Sequence, residues 1–400
     1  MLALADDLSG AAEIAAALLS PRRAARIELG PQTHTRIARN THSLIVKDLD
    51  SRPSSTAEAM GAVRSALNEY SAHQPLVFFK IDSLLRGNIA ATVRAASDQP
   101  VVLAPALPLG GRTVVNGVLH CDGVPLHESR AWQAERATPP VTIADVLAPM
   151  PCRIMTVDDV RSGELHARLV ASIAADRIPV CDSATDTDLD TILTATVEIP
   201  DVRLIGSGGL ASALGRALAV PGALPAPPMN PEHALLIVVG TADPGAAHQM
   251  RMLTDAGVRT VGIDARPPVQ VEPRPDEVAR LLTALEQGPA MLTLDAPDGV
   301  EPACSAELVR LLAATVQRTV EHVSSPTDLV LTGGETARRV LDGLGIDALT
   351  PITQVHHGAV HSRTPTGTSV VTRPGSFGDA DSLVRIVEHL RPARKRKAEH

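Results

Sequence analysis

Aromatic side chains are nearly missing: three Phe, one Tyr and one Trp in 400 residues. A core without them has to be filled by Ala, Val, Leu and Ile, and aromatic platforms for stacking nucleic-acid bases are not expected. Cysteine is scarce too. Cys121, Cys152, Cys181 and Cys304 lie tens of residues apart with no Cys-x-x-Cys pairing. Neither a zinc site nor a disulfide framework is suggested, and a reducing compartment fits best. No apolar run approaches the length of a membrane span, and the opening stretch MLALADDLSG reaches paired acids by residue 6 without the basic and apolar regions of an export signal. A cytoplasmic protein is the expectation. Positive charge is in deficit, with a formal net charge of -8, which opposes nonspecific binding to nucleic acid or an anionic membrane. The one dense basic run, RPARKRKAEH at residues 391–400, reads as a frayed, solvated tail.

What is present is an ordinary apolar content, 44%, on a chain long enough for two cores. Short β-like runs alternate with Ala/Leu-rich helical stretches: MLALA, SLIVKDLDS, PLVFFKIDS and PVVLAPA each precede or follow one. That rhythm predicts a largely parallel sheet flanked by helices, with functional loops at the C-terminal ends of its strands. Between about 107 and 155 the pattern loosens into a Gly- and Pro-rich hairpin or excursion, then resumes. The proline-rich stretch AVPGALPAPPMNPEH reads as a linker, after which a second alternating set begins. The expected architecture is two α/β domains, at 1–222 and 233–390, joined by a linker at 223–232 and followed by a tail at 391–400. No internal repeat of fixed period is found.

Four segments of the first half share one layout, an apolar run ending in clustered polar residues. These are Asp6 and Asp7; Asp50, Ser51 and Arg52; Lys80, Asp82, Ser83 and Arg86; and Gly110, Gly111 and Arg112. If their strands are parallel, the clusters converge on one sheet edge. Arg and Lys there suit a carboxylate and Asp suits hydroxyls, the needs of a small polyhydroxylated acid. Each cluster alone has a plainer reading. Asp7 or Ser9 could cap a helix, Ser51-Arg52 is a common surface pair, and Lys80, Asp82 and Arg86 could form a structural ion pair or a solvated turn.

The second half carries three Gly-containing strand-to-helix turns: VVGTADPGAA, LTGGETA and TRPGSFGDADSL. Small residues there allow close backbone approach to an anion, although none matches a P-loop or a dinucleotide fingerprint, and a tight turn or C-cap is the simpler account of any one. A fourth turn, GSGGLASAL, precedes the linker and is expected to face a cleft between the domains. His356, His357 and His361 invite a metal reading, but without a companion carboxylate at a recognised spacing they are assigned a surface or turn role.

Together these segments resemble the four-carbon acid sugar kinases, the family of threonate, erythronate and oxo-tetronate kinases. ADDLSGAAE is similar to the family's ADDxTGAxD, DLDSR to its TDSR element and FKIDSLLRGN to its KxDSTLRGN. APALPLGGRTVVNGVLH, GSGGLASAL, VVGTADPGAAHQM, LTGGETARRVL and TRPGSFGDADSL follow in the family's order. The resemblance implies an acid-sugar domain followed by a nucleotide domain, an active site in the interdomain cleft, and transfer of the ATP γ-phosphoryl to a terminal hydroxyl of the acid with Mg2+. Carried over, Asp6, Asp7, Asp82 and Arg86 are the expected catalytic residues, and Ser51, Arg52, Lys80, Ser83, Gly111 and Arg112 bind the acid. Ser207, Thr241, Asp243, Gly333, Gly334, Glu335, Thr336, Gly375, Ser376 and Gly378 meet ATP; no metal ligand is assigned. The expected partners are the acid and ATP, neither nucleic acid nor membrane, and a homodimer is compatible with the reading. The chain departs from the pattern at Leu84, where relatives carry Thr, and at Glu13, Glu335 and Pro374. Leu84 is the position expected to separate this chain's substrate from theirs.

Phosphoryl transfer asks mainly for positioning and electrostatic stabilisation, with a carboxylate, one of Asp6, Asp7 or Asp82, orienting or deprotonating the attacking hydroxyl. A kinase for a different sugar acid, an Asp-dependent sugar phosphohydrolase and a sensor that has lost turnover are the alternatives.

Overall fold

The computed structural model describes residues 1–30, 44–70, 76–132, 135, 137–222, 230–241, 244–267, 269–295, 301–375 and 377–392. Most of the expected linker and tail, and with them Asp243 and Ser376, lie outside the described residues. The chain forms two compact units, Met1–Ala223 and Leu224–His400. Among the described residues no helix is long and apolar enough to cross a membrane.

The first unit has strands β1 (Leu2–Ala5), β2 (Ala25–Leu29), β3 (Leu44–Asp48), β4 (Val77–Lys80), β5 (Val101–Ala104), β6 (Arg112–Val115), β7 (Val118–Cys121), β8 (Val124–Pro125), β9 (Cys152–Met155), β10 (Ile178–Cys181) and β11 (Arg203–Gly206). Eight of them form a parallel sheet in the order β2-β3-β1-β4-β11-β5-β10-β9. Every residue of β1, β4, β5, β10 and β11 is buried. Strands buried on both faces read as largely apolar runs, interrupted here only by Lys80 at the end of β4 and Arg203 at the start of β11. Phe78 and Phe79, two of the five aromatics, lie fully buried at the centre of this sheet.

The irregular stretch after β5 is a separate antiparallel sheet, β6-β7-β8. Its first hairpin turns through Asn116 and Gly117, whose φ values of 53° and 71° suit the two-residue turn that matches strand twist. Asp182, fully buried just past β10, accepts from the N–H groups of Asn116 and, at 2.9 Å, Gly117. Backbone bonds between Val114 and Ser183, at 2.9 and 3.1 Å, complete the attachment of the excursion to the main sheet.

The second unit adds β12 (Ala234–Val239), β13 (Arg259–Asp264), β14 (Ala290–Asp295), β15 (Thr327–Thr332), β16 (Ala348–His356), β17 (Ala359–Arg363) and β18 (Ser369–Arg373), in the order β13-β14-β12-β15-β18-β17-β16. The first five of that order are parallel, and β17 runs antiparallel to both its neighbours. The histidine expectation holds in part. His356 and His357 sit at the turn between β16 and β17, but His361 is fully buried within β17. Its ring nitrogens meet His389 Nε2 at 3.0 Å and Ser369 Oγ at 2.9 Å, and burial pushes its pKa down to about 4. Ala359 to Ser362 are all buried, so both faces of β17 are covered, which the turn-like sequence HHGAVHS conceals.

Removing the Asp182 carboxylate orphans two backbone donors. Asp182→Ala is expected to lower unfolding stability by about 2 kcal/mol, read as a drop in the urea midpoint at unchanged slope; an unchanged midpoint would show that the hairpin does not depend on it.

Candidate active site

In the first unit, β3, β1, β4, β11 and β5 are consecutive neighbours and parallel, so the residues that follow them share one edge. The chain leaves β1 toward β2 on one side and leaves β4 toward β5 on the other, and a crevice at the ends of strands that diverge in this way is where ligands of such sheets bind. Asp6, Asp7, Ser51, Arg52, Asp82, Ser83, Arg86 and Arg112 all lie at this edge.

Arg52 gathers them. Its Nε and Nη2 bind Asp6 Oδ2 and Oδ1 at 3.0 and 3.2 Å, its Nη1 lies 3.0 Å from Asp7 Oδ2, and Nη2 stands 3.6 Å from Asp82 Oδ1. The planar guanidinium fork suits the paired contact, and one side chain thereby ties the ends of β1, β3 and β4. The Ser51 and Arg52 N–H groups donate to the Asp6 carbonyl at 3.0 and 3.2 Å, fixing the β3 loop beside β1. Asp7 also serves the plainer purpose considered for it: its Oδ1 accepts from Gly10 N at 2.8 Å and caps the helix Leu8–Ala17.

Asp82 organises its own loop. Oδ2 accepts from the N–H groups of Leu84 and Arg86 at 3.1 and 3.2 Å and from Arg86 Nε at 2.7 Å, while Oδ1 takes Arg86 Nη2 at 2.8 Å. Leu85 is held at φ 60°, a region that bulky residues seldom enter. Leu84 is 7% exposed and packs in the main core of the unit, so its apolar side chain has a packing role where the resembling motif carries a hydroxyl. Its carbonyl accepts from Trp132 Nε1 at 2.8 Å, and Arg86 Nη1 lies 3.5 Å from Glu135 Oε1.

Lys80, the last residue of β4, is 5% exposed and pairs with Glu13 Oε2 at 3.0 Å. The longer acid at position 13 spans from the helix to the strand. Gly10 gives Lys80 its room, since a Cβ there would stand 3.1 Å from Lys80 Cγ and 2.9 Å from Asp7 Oδ1. Arg112 donates to Ser83 Oγ, and Gly111, at φ 68°, ends the turn that delivers it.

The electrostatics separate these groups. Burial would raise Asp82, but Arg86 and then Arg52 outweigh it and hold the carboxyl well below its ordinary range. At Asp6 burial wins over Arg52, and the pKa is raised. Burial alone would lower Lys80, Arg52 and Arg86; Glu13, Asp6 and Asp82 respectively lead the acids that raise them instead. Arg112 is the exception, lowered by burial despite Asp82.

Ser207 does not join the group. It is fully buried, caps the helix Gly208–Ala217 by accepting from Gly209 N at 3.2 Å, and donates to the Ala106 carbonyl at 2.7 Å. Its hydroxyl is spent on the fold of the first unit. Glu13, Trp132 and Glu135 are the site residues that motif reading passed over. Glu13 was visible as a lengthened acid; nothing in the spacing signals the other two.

In the second unit, neighbouring parallel strands β12, β15 and β18 bring three turns to one edge. The turns mesh through small residues: a Cβ at Gly240 would stand 2.1 Å from Thr336 Oγ1, and one at Gly375 would stand 2.3 Å from Thr241 Oγ1. Gly333, at φ 97°, precedes the helix Gly334–Gly343, whose first-turn Glu335 is exposed. Thr336 is 1% exposed, and its side chain packs close to Gly240. Beneath the turns, fully buried Arg373 donates through Nε to Thr332 Oγ1 at 3.3 Å and through Nη1 to Ser382 Oγ at 2.9 Å. Gln249 Nε2 holds the Gly378 carbonyl at 3.0 Å.

Comparison with known proteins adds two family matches: a sugar-binding N-terminal domain over residues 1–214 and a nucleotide-binding C-terminal domain over residues 236–383. A D-threonate kinase of Cupriavidus necator is 31% identical, with 96% of each chain covered. A D-threonate kinase of Bordetella bronchiseptica is 29% identical over 98% of this chain and 97% of that protein. The crystal structure of a Haemophilus influenzae protein superposes with a TM-score of 0.73 at 19% identity, covering 98% of this chain and all of that one, which establishes a shared fold.

Two substitutions test this geometry. Asp82→Asn breaks a buried ion pair and is expected to cost about 3–5 kcal/mol at neutral pH. Because the folded pKa of Asp82 is depressed, its contribution is present above the unfolded value near ~4 and fades as pH falls below it. Denaturant midpoints of the two proteins should therefore converge in acid. Leu84→Thr, which puts a hydroxyl into the core, is expected to lower stability by about 2–3 kcal/mol and leave the ranking of substrates unchanged.

Proposed function

The chain belongs to the four-carbon acid sugar kinase family, and we propose that it transfers the γ-phosphoryl group of ATP to the terminal hydroxyl of a four-carbon sugar acid, with D-threonate the first candidate. The observation that carries the reading is the Arg52-tied edge, where Asp6, Asp7, Asp82 and Glu13 stand among Arg52, Lys80, Arg86 and Arg112. The arrangement supports recognition of a molecule that is at once a carboxylate and a polyol. The names of the relatives support the same substrate class.

In this reading Arg112, with Arg86 beside it, takes the acid's carboxylate, because an anion there offsets the cost of burying Arg112. Asp7 and Ser51 orient hydroxyls. Asp6 accepts the proton of the attacking hydroxyl: its raised pKa makes it a better acceptor than Asp82, whose oxygens are committed to Arg86 and to backbone N–H groups. Lys80 offers positive charge to the migrating group. The turns of the second unit hold ATP, with the N–H groups at the start of the helix Gly334–Gly343 toward its phosphates. Mg2+ in such enzymes needs only one or two carboxylates beside the nucleotide's own oxygens, and exposed Glu335 fits that donor set. When bound, the ion would neutralise phosphate charge; positioning the acid and accepting its proton fall to the first unit.

The test is ADP release across D-threonate, D-erythronate and 3-oxo-tetronate. Turnover is expected with one of them, dependent on ATP and abolished by EDTA. Asp6→Asn should lower kcat by about 10²–10⁴ with the KM for ATP unchanged. The acid limb of the wild-type rate profile should lie above the ordinary carboxylate value near ~4 and be missing from the variant. Acid binding without ADP release would favour a sensor, and phosphate release from a sugar phosphate without ATP would favour a hydrolase.

A further inference from the structure

Three residues of the excursion after β5 reach the loop that follows β4. Arg112 binds Ser83 Oγ, Trp132 Nε1 donates to the Leu84 carbonyl at 2.8 Å, and Glu135 lies 3.5 Å from Arg86. We propose that Trp132 is a positioning residue for the sugar acid: its indole N–H, with Arg112 and Glu135 acting on either side of it, sets the backbone of Ser83–Arg86 on which the acid is held. The proposal rests on the acid site described above.

The loop needs such a hold. Asp82 Oδ2 pins it from inside through the N–H groups of Leu84 and Arg86, and Leu85 is kept in the left-handed region. The Leu84 carbonyl is the opposite face of a peptide next to one that Asp82 fixes, so a donor there locks the plane from the other side. Trp132 is suited to the task. Its ring packs against the main core, so the donor is carried by a rigid, anchored body with two side-chain torsions. Arg86 is bound by Asp82 through Nε and Nη2 and approaches Glu135 with Nη1, so the excursion also bears on the orientation of a guanidinium assigned to the acid. Small displacements of a positioning group have large effects on a reaction that depends on alignment. The excursion is joined to the parallel sheet by its own bonds through Asp182 and Ser183, so the loop is referenced to two separately built frames.

Because the chain has a single Trp, its emission reports the surroundings of this one side chain. In the full-length protein, D-threonate titrated without ATP is expected to change Trp132 emission with the same midpoint as the calorimetric binding curve. Trp132→Phe keeps an aromatic ring and removes the donor. It should raise the KM for the acid by roughly three- to ten-fold, the range of one lost neutral hydrogen bond, while leaving the KM for ATP unchanged and lowering the thermal midpoint by only a few degrees. Glu135→Gln, a change at an exposed side chain, should raise the KM for the acid by about two-fold, an effect that fades in high salt. If Trp132→Phe fails to fold, Glu135→Gln and the emission titration decide. An unchanged KM for the acid in both variants, a parallel rise in both KM values, or bound acid with silent emission overturns the proposal. A wild-type protein that binds acid without releasing ADP counts against the proposed function, and the emission titration still tests this one.

Discussion

The guanidinium of Arg52 is the contact on which the first unit's site depends. Asp6, Asp7 and Asp82 come from the ends of two strands, and three carboxylates at one sheet edge would repel one another without a shared cation. A paired contact to Asp6, a single contact to Asp7 and a longer one to Asp82 place that cation on a third strand end. The fold and the charge distribution thus require each other. Parallel strands bring the clusters together, and the ion network lets them stay there. Lys80 with Glu13 repeats the arrangement below, almost out of solvent, where neither charge would persist alone.

The second unit reaches a comparable end by steric means. Its three turns approach closely because Gly240 and Gly375 leave space for Thr336 and Thr241. Close backbone packing at a helix start is, as a general rule, better suited to a polyphosphate than to a sugar acid. The contrast between an edge rich in ionised side chains and one built of small residues parallels the two family matches, sugar-binding and nucleotide-binding.

Much of this was legible in the sequence. Alternating apolar and helical runs implied parallel strands, and parallel strands implied that Asp6, Arg52, Asp82 and Arg112 would meet. What the sequence hid is directional. Leu84 sits among polar residues in the motif, yet its neighbour's φ of 60° and the turn around Asp82 send its side chain into the core. Ser207 opens a Gly-rich turn that looks like an anion site, but Gly208 and Gly209 serve close packing and the hydroxyl caps the helix. His361 reads as part of a turn and lies in a strand. Trp132, some fifty residues from the loop it contacts, belongs to a stretch whose only readable feature was irregularity.

The most direct test of the account is calorimetric binding of sugar acid and of ATP to Arg52→Lys. Lysine keeps the charge and loses the fork, so it cannot hold Asp6 through two bonds while meeting Asp7. The account predicts that D-threonate affinity falls by at least about ten-fold, some 1.4 kcal/mol, with ATP affinity unchanged. Undiminished acid binding, or an equal loss for both ligands, would contradict it.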